Sequence, residues 1–249
     1  MLTQERHREI LRILSEKQAV TVSELSELLN TSESTIRRDL NKLDSQGKLT
    51  KVFGGATAST QILEAKDDTV DTRSQLNIDE KRMIGQYAAT LINNYDLVYI
   101  DAGTTTRVFI EYSTNRNATY VTNALDHGLY LMEKVFNVYI VGGKLKASTE
   151  CVVGAEGIKF LEKFNFTKSF LGTNGVDINA GYTTPDIEEG HIKNEVVQRS
   201  YHSFILADSS KFRKVYPVTF GKLKECCIIT GKLTDKSFGK ETVVKEVSQ

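Results

Sequence analysis

One short segment, residues 32–43, constrains this chain more than any other part of its sequence. At helical spacing, Ile36, Leu40 and Leu43 fall on one face, which is apolar enough to pack against other elements. The opposite face carries Ser34, Arg37, Arg38 and Asn41. Guanidinium, hydroxyl and amide groups bond phosphates and base edges in the DNA major groove. The segment therefore predicts a helix that packs on one side and contacts DNA with the other.

The residues on either side of this segment predict a helix-turn-helix. Residues 4–16 alternate apolar and charged side chains as an amphipathic helix would. Thr21 and Glu24 have the spacing of a capping box at the start of a second helix. Residues 30–32 form a short polar break before the third helix, and Gly47 suits its C-terminal cap.

A wing is predicted after the third helix, because residues 48–56 are a short basic strand that turns at a diglycine. The candidate DNA-binding residues are Ser34, Thr35, Arg37, Arg38, Asn41, Lys42 and Lys51. The alternative is an ordinary solvated helix face. Residues 34–55 hold five basic and two acidic side chains, whereas the whole chain has 32 of each sign. The positive surplus is therefore local, which favours DNA contact over general surface charge.

Length and composition predict two domains in one cytoplasmic chain. The 249 residues suit a DNA-binding domain at 1–57, a polar linker at 58–75 and a larger domain at 76–249. No segment is apolar enough to cross a membrane, and the first residues lack the apolar core of a signal peptide. The three cysteines lack metal-ligand spacing, so we expect reduced thiols, no metal and no cofactor.

The larger domain is predicted to be α/β with a mostly parallel sheet, because short apolar runs alternate with helical segments. The predicted strands are residues 97–100, 119–121, 138–141, 169–171, 204–207 and 227–229. A helix is expected over 80–93, and another begins near Pro185, which is favourable in a first helical turn.

The predicted strand ends are polar and glycine-rich, and ligands bind beyond the carboxyl ends of such strands. Gly103 and the threonines after it could surround an anion at a helix N-terminus. The candidate ligand-binding residues are Asp101, Gly103, Thr104, Thr105, Thr106, Thr122, Asn123, Gly143, Asn174, Lys193 and Lys211. Hydroxyls, amides and a lysine suit a sugar phosphate. The alternative reading is a capped strand-to-helix turn beside surface lysines.

These residues closely resemble the DeoR family of bacterial transcriptional regulators over nearly the whole chain. The DNA-binding signature reads Ser34-Thr35-Ile36-Arg37-Arg38-Asp39-Leu40, Gly47-Lys48-Leu49 and Gly54-Gly55-Ala56. The sensor signature reads Glu80-Lys81, Asp101-Ala102-Gly103-Thr104-Thr105, Val121-Thr122-Asn123, Gly142-Gly143, Gly175-Val176-Asp177 and Asp208-Ser209-Ser210-Lys211-Phe212. The resemblance implies a winged helix-turn-helix joined to a sensor domain. It also implies a repressor of sugar metabolism that a phosphorylated sugar, such as fructose 1-phosphate, releases from double-stranded operator DNA.

Two-fold operators require at least a homodimer, and a homotetramer is also compatible. The sensor domain is also similar to ribose-5-phosphate isomerase, which makes a sugar-phosphate isomerase with an accessory DNA-binding domain the main alternative. Those isomerases carry an acidic Asp-Gly-Ala-Asp stretch where this chain has residues 171–175 without a carboxylate. The general base would then be missing, so the fold is expected without the catalysis. A second domain that only oligomerises is the third possibility.

Overall fold

The structure, a computed structural model, describes residues 2–45, 48–58, 61–62, 70–233 and 235–248. Its contacts separate two compact units, Met1–Gln61 and Ile62–Gln249. The C-terminal cap predicted at Gly47 lies outside the described residues, as does most of the predicted linker. Within the described residues, no helix combines the length and apolar character needed to span a membrane.

The N-terminal unit is a helix-turn-helix with a small antiparallel sheet. Its elements are α1 (Thr3–Lys17), β1 (Ala19–Thr21), α2 (Val22–Leu28), α3 (Glu33–Ser45), β2 (Leu49–Val52) and β3 (Gly55–Ala58). The strands are ordered β1-β3-β2. The predicted capping box is present, because Thr21 accepts from the amide of Glu24 and the Glu24 carboxylate accepts from that of Thr21. Ile36, Leu40 and Leu43 of α3 are fully buried, as the helical spacing predicts.

The diglycine of the wing meets two separate requirements. Gly54 has a φ of +81°, a backbone conformation that residues other than glycine adopt only at a cost in conformational energy. At Gly55 an added Cβ would lie 2.2 Å from the carbonyl oxygen of Val20. The first glycine therefore makes the turn, and the second lets β3 approach β1.

A buried ionic cluster, which the sequence pattern does not predict, holds α3 against α1. The Nε of Arg6 donates to Asp39 at 2.6 Å, and the Nε2 of His7 lies 2.9 Å from the other carboxylate oxygen. Asp39 is only 5% exposed. Burial opposes its ionisation, but the bonds from Arg6 and His7 outweigh burial and hold its pKa below the ordinary value.

Within its described residues, the C-terminal unit contains six α-helices, three short 3₁₀ helices and most of the strands. The helices are α4 (Val70–Gln75), α5 (Ile78–Ala89), α6 (Thr104–Tyr112), α7 (Leu125–Glu133), α8 (Ala155–Leu161) and α9 (Ile187–Gln198). The 3₁₀ helices are Ser209–Lys211, Leu223–Glu225 and Lys236–Lys240. The strands, from the unit boundary onward, are β4 (Gln61–Ile62), β5 (Leu97–Ile100), β6 (Thr119–Thr122), β7 (Asn137–Ile140), β8 (Lys144–Lys146), β9 (Cys151–Val153), β10 (Phe166–Gly172), β11 (Gly175–Asp177), β12 (Gly181–Thr184), β13 (Ser200–Leu206), β14 (Lys214–Val215), β15 (Val218–Gly221), β16 (Cys227–Thr230) and β17 (Val244–Glu246).

A seven-stranded parallel sheet with the order β17-β16-β13-β10-β5-β6-β7 forms the centre of this unit. It contains all six predicted strands, and the additional edge strand β17 was not predicted. Successive residues of β5 pack on opposite faces, with Tyr99 in one core and Val98 and Ile100 in the other. The chain leaves β5 towards β7 and later continues from β10 towards β17. The ends of β5 and β10 therefore border a topological switch point, where such sheets bind ligands.

Two local predictions are corrected by the structure. Residues 70–75, placed within the predicted linker, form α4. Pro185 is not in the first turn of its helix, because Asp186 is the N-cap and its carboxylate accepts from the amide of Glu189 at 2.9 Å. The cap moves the helix start two residues beyond the proline.

Candidate functional site

The exposed face of α3 carries the predicted DNA-binding side chains together. Ser34, Arg37, Arg38, Asn41 and Lys42 are exposed, and Thr35 is half-buried. The Arg37 guanidinium lies 3.0 Å from Glu33, an exposed pair that DNA phosphates can replace. Lys51 is exposed on β2, near the wing tip, where Phe53 is fully exposed. The exposed face of α3 and the wing thus both present cationic side chains to solvent.

A cavity of about 300 Å³ lies at the switch point of the C-terminal unit. Six of the eleven candidate ligand-binding residues line it, namely Gly103, Thr104, Thr105, Asn174, Lys193 and Lys211. They come from the start of α6, the end of β10, helix α9 and the 3₁₀ helix at Ser209–Lys211. No side chain in the described part of the chain caps α6, so its first amides are open to an anion in the cavity.

Asp101 does not line the cavity, but it fixes the position of a residue that does. Its carboxylate accepts from the ammonium of Lys193 and from the backbone amide of Gly172, the latter at 3.0 Å. Lys193 also donates to the carbonyl of Gly172 at 3.1 Å. Burial raises the pKa of Asp101, and Lys193 opposes that shift. The pair ties β5, β10 and α9 together beneath the cavity.

The remaining four candidates lie in supporting positions outside the cavity lining. Thr106 donates to the carbonyl at the start of α6 at 2.9 Å, and Thr122 accepts from a backbone amide at 3.1 Å. Asn123 bonds the backbone of the loop after β5 and of β9. Gly143 has a φ of +149°, and an added Cβ would lie 3.0 Å from Val152. Because neighbours satisfy or crowd these groups, we assign them to the architecture of the site.

A group of cations next to Thr104 was not identified from the sequence. Lys81, which is 3% exposed, donates to the hydroxyl of Thr104 at 3.0 Å and to the carbonyl of Arg73. Burial is the main cause that lowers the pKa of Lys81. Asp208 opposes the shift, whereas Lys211 and Arg73 add to it. Three cations around one carboxylate leave this end of the cavity electropositive.

His127 on α7 is a second lining residue that the sequence did not single out. It is 2% exposed, and its buried Nδ1 has no partner among the described residues. Burial lowers the pKa of His127 to about 4, Asp126 opposes that shift, and Arg107 adds to it. The ring is therefore neutral at pH 7 and keeps one donor and one acceptor. A lone histidine on an amphipathic helix gives no sequence signal of this role.

The segment after β10 presents a side-chain amide to the cavity, at the position where the isomerases carry an acidic stretch. Asn174 lines the cavity, and its side-chain oxygen lies 3.3 Å from the hydroxyl of Thr184. Glu189 is a lining carboxylate, but Lys146 and Thr149 hold it at 2.8 and 2.7 Å. The described residues contain no cluster of His, Cys, Asp and Glu that could hold a metal ion.

Comparison of the sequence with known families matches both units. Residues 6–62 match the DeoR-like helix-turn-helix domain, and residues 76–232 match the DeoR C terminal sensor domain. Together these two matches cover well over half of the chain.

Several relatives match this chain over most of their own length. The chain is 38% identical to the uncharacterized HTH-type transcriptional regulator FruR of Bacillus subtilis, over 99% of each chain. It is 32% identical to the HTH-type transcriptional regulator IolR of the same species, over 88% of this chain and 87% of IolR. Identity to the lactose phosphotransferase system repressor of Staphylococcus aureus is also 32%, over 93% of each chain.

Among solved structures, the likeness to ribose 5-phosphate isomerase A of Methanocaldococcus jannaschii covers 55% of each chain, with a TM-score of 0.40 and 15% identity. The full-length sorbitol operon regulator SorC of Klebsiella pneumoniae aligns with 83% of this chain and 90% of its own, with a TM-score of 0.37 and 13% identity. Both the TM-scores and the sequence identities are too low to bear on function.

Proposed function

This chain belongs to the DeoR family of transcriptional regulators, and we propose that it represses a sugar-utilisation operon until a phosphorylated sugar binds its cavity. The observation that carries the proposal is the cavity itself. It joins an uncapped helix start at Gly103–Thr105 to the cation Lys211, and Lys81 lies next to its lining, bonded to Thr104. Both features suit a ligand that carries an anionic group and is otherwise polar.

Operator binding uses the exposed face of α3. Arg37 and Arg38 supply base-edge or phosphate contacts, Asn41 and Ser34 add polar contacts, and Lys51 on the wing contacts the DNA backbone. Because the chain has no net charge, this patch must supply the electrostatic attraction to DNA.

The phosphate binds at the electropositive end of the cavity. The first amides of α6 point at it, Lys211 neutralises its charge, and Lys81 supports the site through its bond to the Thr104 hydroxyl. A bound phosphate would also offset the repulsion from Lys211 and Arg73, which adds to burial in lowering the pKa of Lys81.

The sugar hydroxyls bind the opposite, uncharged groups of the cavity. Thr105, Asn174 and the neutral imidazole of His127 can each donate or accept a hydrogen bond. A volume of about 300 Å³ is enough for one small ligand but not for a dinucleotide.

The sugar phosphate acts only if it binds the DNA-incompetent state more tightly than the competent one. The paired half-sites of a two-fold operator require at least a dimer of this chain. We propose that effector binding changes how the two DNA-binding units of such a dimer are placed.

The isomerase alternative is not favoured. The full-length relatives are named as regulators, and the end of β10 offers the cavity the amide of Asn174 in place of a carboxylate. Without a carboxylate at this point the cavity lacks the general base that isomerisation needs there, which suits binding of a sugar phosphate without turnover.

Fluorescence anisotropy of labelled DNA from the gene's own promoter region tests the proposal. The bound complex is titrated at fixed salt with a panel of phosphorylated sugars, beginning with fructose 1-phosphate, and with the free sugars. Release by one phosphorylated sugar but not by its free form is expected. DNA binding that ignores every sugar phosphate would refute the sensor mechanism and leave the DNA-binding assignment in place.

A further inference from the structure

Helix α7 exposes an apolar stripe at the edge of the central sheet. Leu125, Leu129 and Met132 follow one another at i, i+4 and i+7, and they are 42%, 49% and 57% exposed. The opposite side of the same helix is buried by His127 and Leu131. Apolar residues thus occupy more of the helix surface than the sheet beneath it can cover.

The stripe continues onto the edge strand β7. An added Cβ at Gly128 would lie 3.0 Å from Ile140, so α7 rests directly on this strand. Ile140 is nevertheless 43% exposed, and Tyr139, which points to the opposite face of the sheet, is 49% exposed. Val135, in the turn between α7 and β7, is 74% exposed. We call these six residues the edge patch: Leu125, Leu129, Met132, Val135, Tyr139 and Ile140.

The outer backbone of β7 is unpaired as well. The strand pairs with β6 on one side, and no strand among the described residues pairs with its other side. An exposed, apolar edge strand is a template for pairing with another chain. The edge patch and this backbone lie side by side.

The size of the edge patch fits a protein partner. Its six residues expose roughly 600 Å² of largely apolar surface in all, counting Tyr139 on the other face of the sheet, which is comparable to the ~800 Å² that each partner contributes to a standard interface. Next to it, Glu133 and Lys134 are both exposed and of opposite charge. Such a surface is complementary to a copy of itself rotated by a two-fold axis.

We propose that the edge patch is the interface with a second copy of this chain, formed by two α7 helices and two antiparallel β7 strands related by a two-fold axis. A two-fold arrangement joins the two sheets at their free edges and buries both stripes. Only the choice of a second copy rests on the proposed function, since a two-fold operator requires paired DNA-binding units.

Sedimentation of the full-length protein, without DNA or sugar, tests the interface. We expect L129E and M132E each to weaken the assembly roughly 100-fold, because they place a charge in an apolar interface. The matched control is V243E, which alters a 68% exposed valine at the opposite edge of the sheet. Circular dichroism verifies that all three variants are folded. A wild-type monomer at every concentration, or unchanged mass in L129E and M132E, would overturn the proposal.

Hydrogen exchange provides a readout that needs no variant. Amides of residues 137–140 should become more protected as the wild-type concentration rises, while those of 244–246 at the other edge stay unchanged. Equal exchange in both strands at all concentrations would contradict the interface. Sugar-phosphate binding is measured separately, by thermal shift of the wild type and of L129E. A chain that assembles through α7 but binds no sugar phosphate would refute the proposed function and leave the interface intact.

Discussion

The two units keep their functional side chains in opposite surroundings. On α3 the residues assigned to DNA, such as Arg37 and Arg38, are exposed, and the helix packs through its apolar side. In the C-terminal unit the residues assigned to the effector surround a cavity, and Lys193 is only 4% exposed. An exposed functional group is available by default. A buried one is available only through a donor or acceptor that its neighbours do not use, so hydrogen bonds limit what each candidate can offer a ligand.

The largest expected effect concerns a buried charge of the N-terminal unit, although the residues assigned to DNA in that unit are exposed. Asp39→Ala leaves the 9% exposed Arg6 without its carboxylate, and we expect the free energy of unfolding to fall by roughly 3 kcal/mol. Urea denaturation measures the loss, and hydrogen exchange should localise it to α3. Glu33→Ala, on the exposed side of the same helix, is the control and should change stability little. Equal stability of the two variants would show that the cluster does not hold α3.

The next prediction concerns the two exposed arginines of α3. Arg37→Ala and Arg38→Ala should weaken operator binding by about 10- to 100-fold, since each removes a charged contact to phosphate or base. Anisotropy over a range of salt concentrations distinguishes the two contacts, because loss of a phosphate contact also lowers the salt dependence. Arg12→Ala, an exposed arginine of α1 that pairs with Glu9 and Glu16, is the control. Full affinity at every salt concentration would place the DNA-binding face elsewhere.

The cavity is tested by a smaller change in effector response. Lys211→Ala should raise the sugar-phosphate concentration needed for half release by about 20-fold, the range of one charged hydrogen bond. Thr105→Ala should have a weaker effect in the same direction. DNA affinity without sugar should stay unchanged in both. Lys224→Ala, an exposed lysine far from the lining, is the matched control. If Lys211→Ala and Thr105→Ala respond like wild type, the effector binds elsewhere.

The smallest expected effect is a pH dependence from His127. Its pKa is about 4 in the folded state and near 6.5 when unfolded, so the unfolded chain gains a proton that the folded chain does not. Stability contributed by the neutral ring is present above pH 6.5 and is lost as the pH falls towards 4. Between pH 7.5 and 6 the loss should be about 1 kcal/mol. His127→Gln should flatten this slope relative to the wild type. An identical slope in the wild type and His127→Gln would contradict a buried neutral ring.

Local patterns predicted most of the elements but fewer of the contacts. Helical spacing and capping residues predicted α1 to α3, and apolar runs predicted six strands of the central sheet. Each of these signals depends on residues that are close together in the sequence. The edge strand β17 was missed because its residues are largely exposed and give no apolar run. Asp39 and Arg6 are 33 positions apart, so their pairing follows only from the packing of two helices.

The candidate site shows the same division. The candidate residues follow strand ends, which the topology of the sheet brings to one edge. Asn123 and Thr122 have the residue types of ligands, but backbone groups of adjacent loops occupy them. Lys81 stands in the family signature but was not among the candidate ligand residues, and His127 was not named, because only their burial in the fold distinguishes them from other lysines and histidines.

Helix α7 connects two events that an experimenter would normally measure apart. Asp126 and His127 line the cavity, and Leu129 on the outer side of the helix belongs to the edge patch. If a sugar phosphate shifts this helix and so changes the strength of self-association, reciprocity requires self-association to change sugar affinity by the same factor. Protein concentration then acts as an effector in its own right, and dilution alone would change the dose of sugar that the regulator detects.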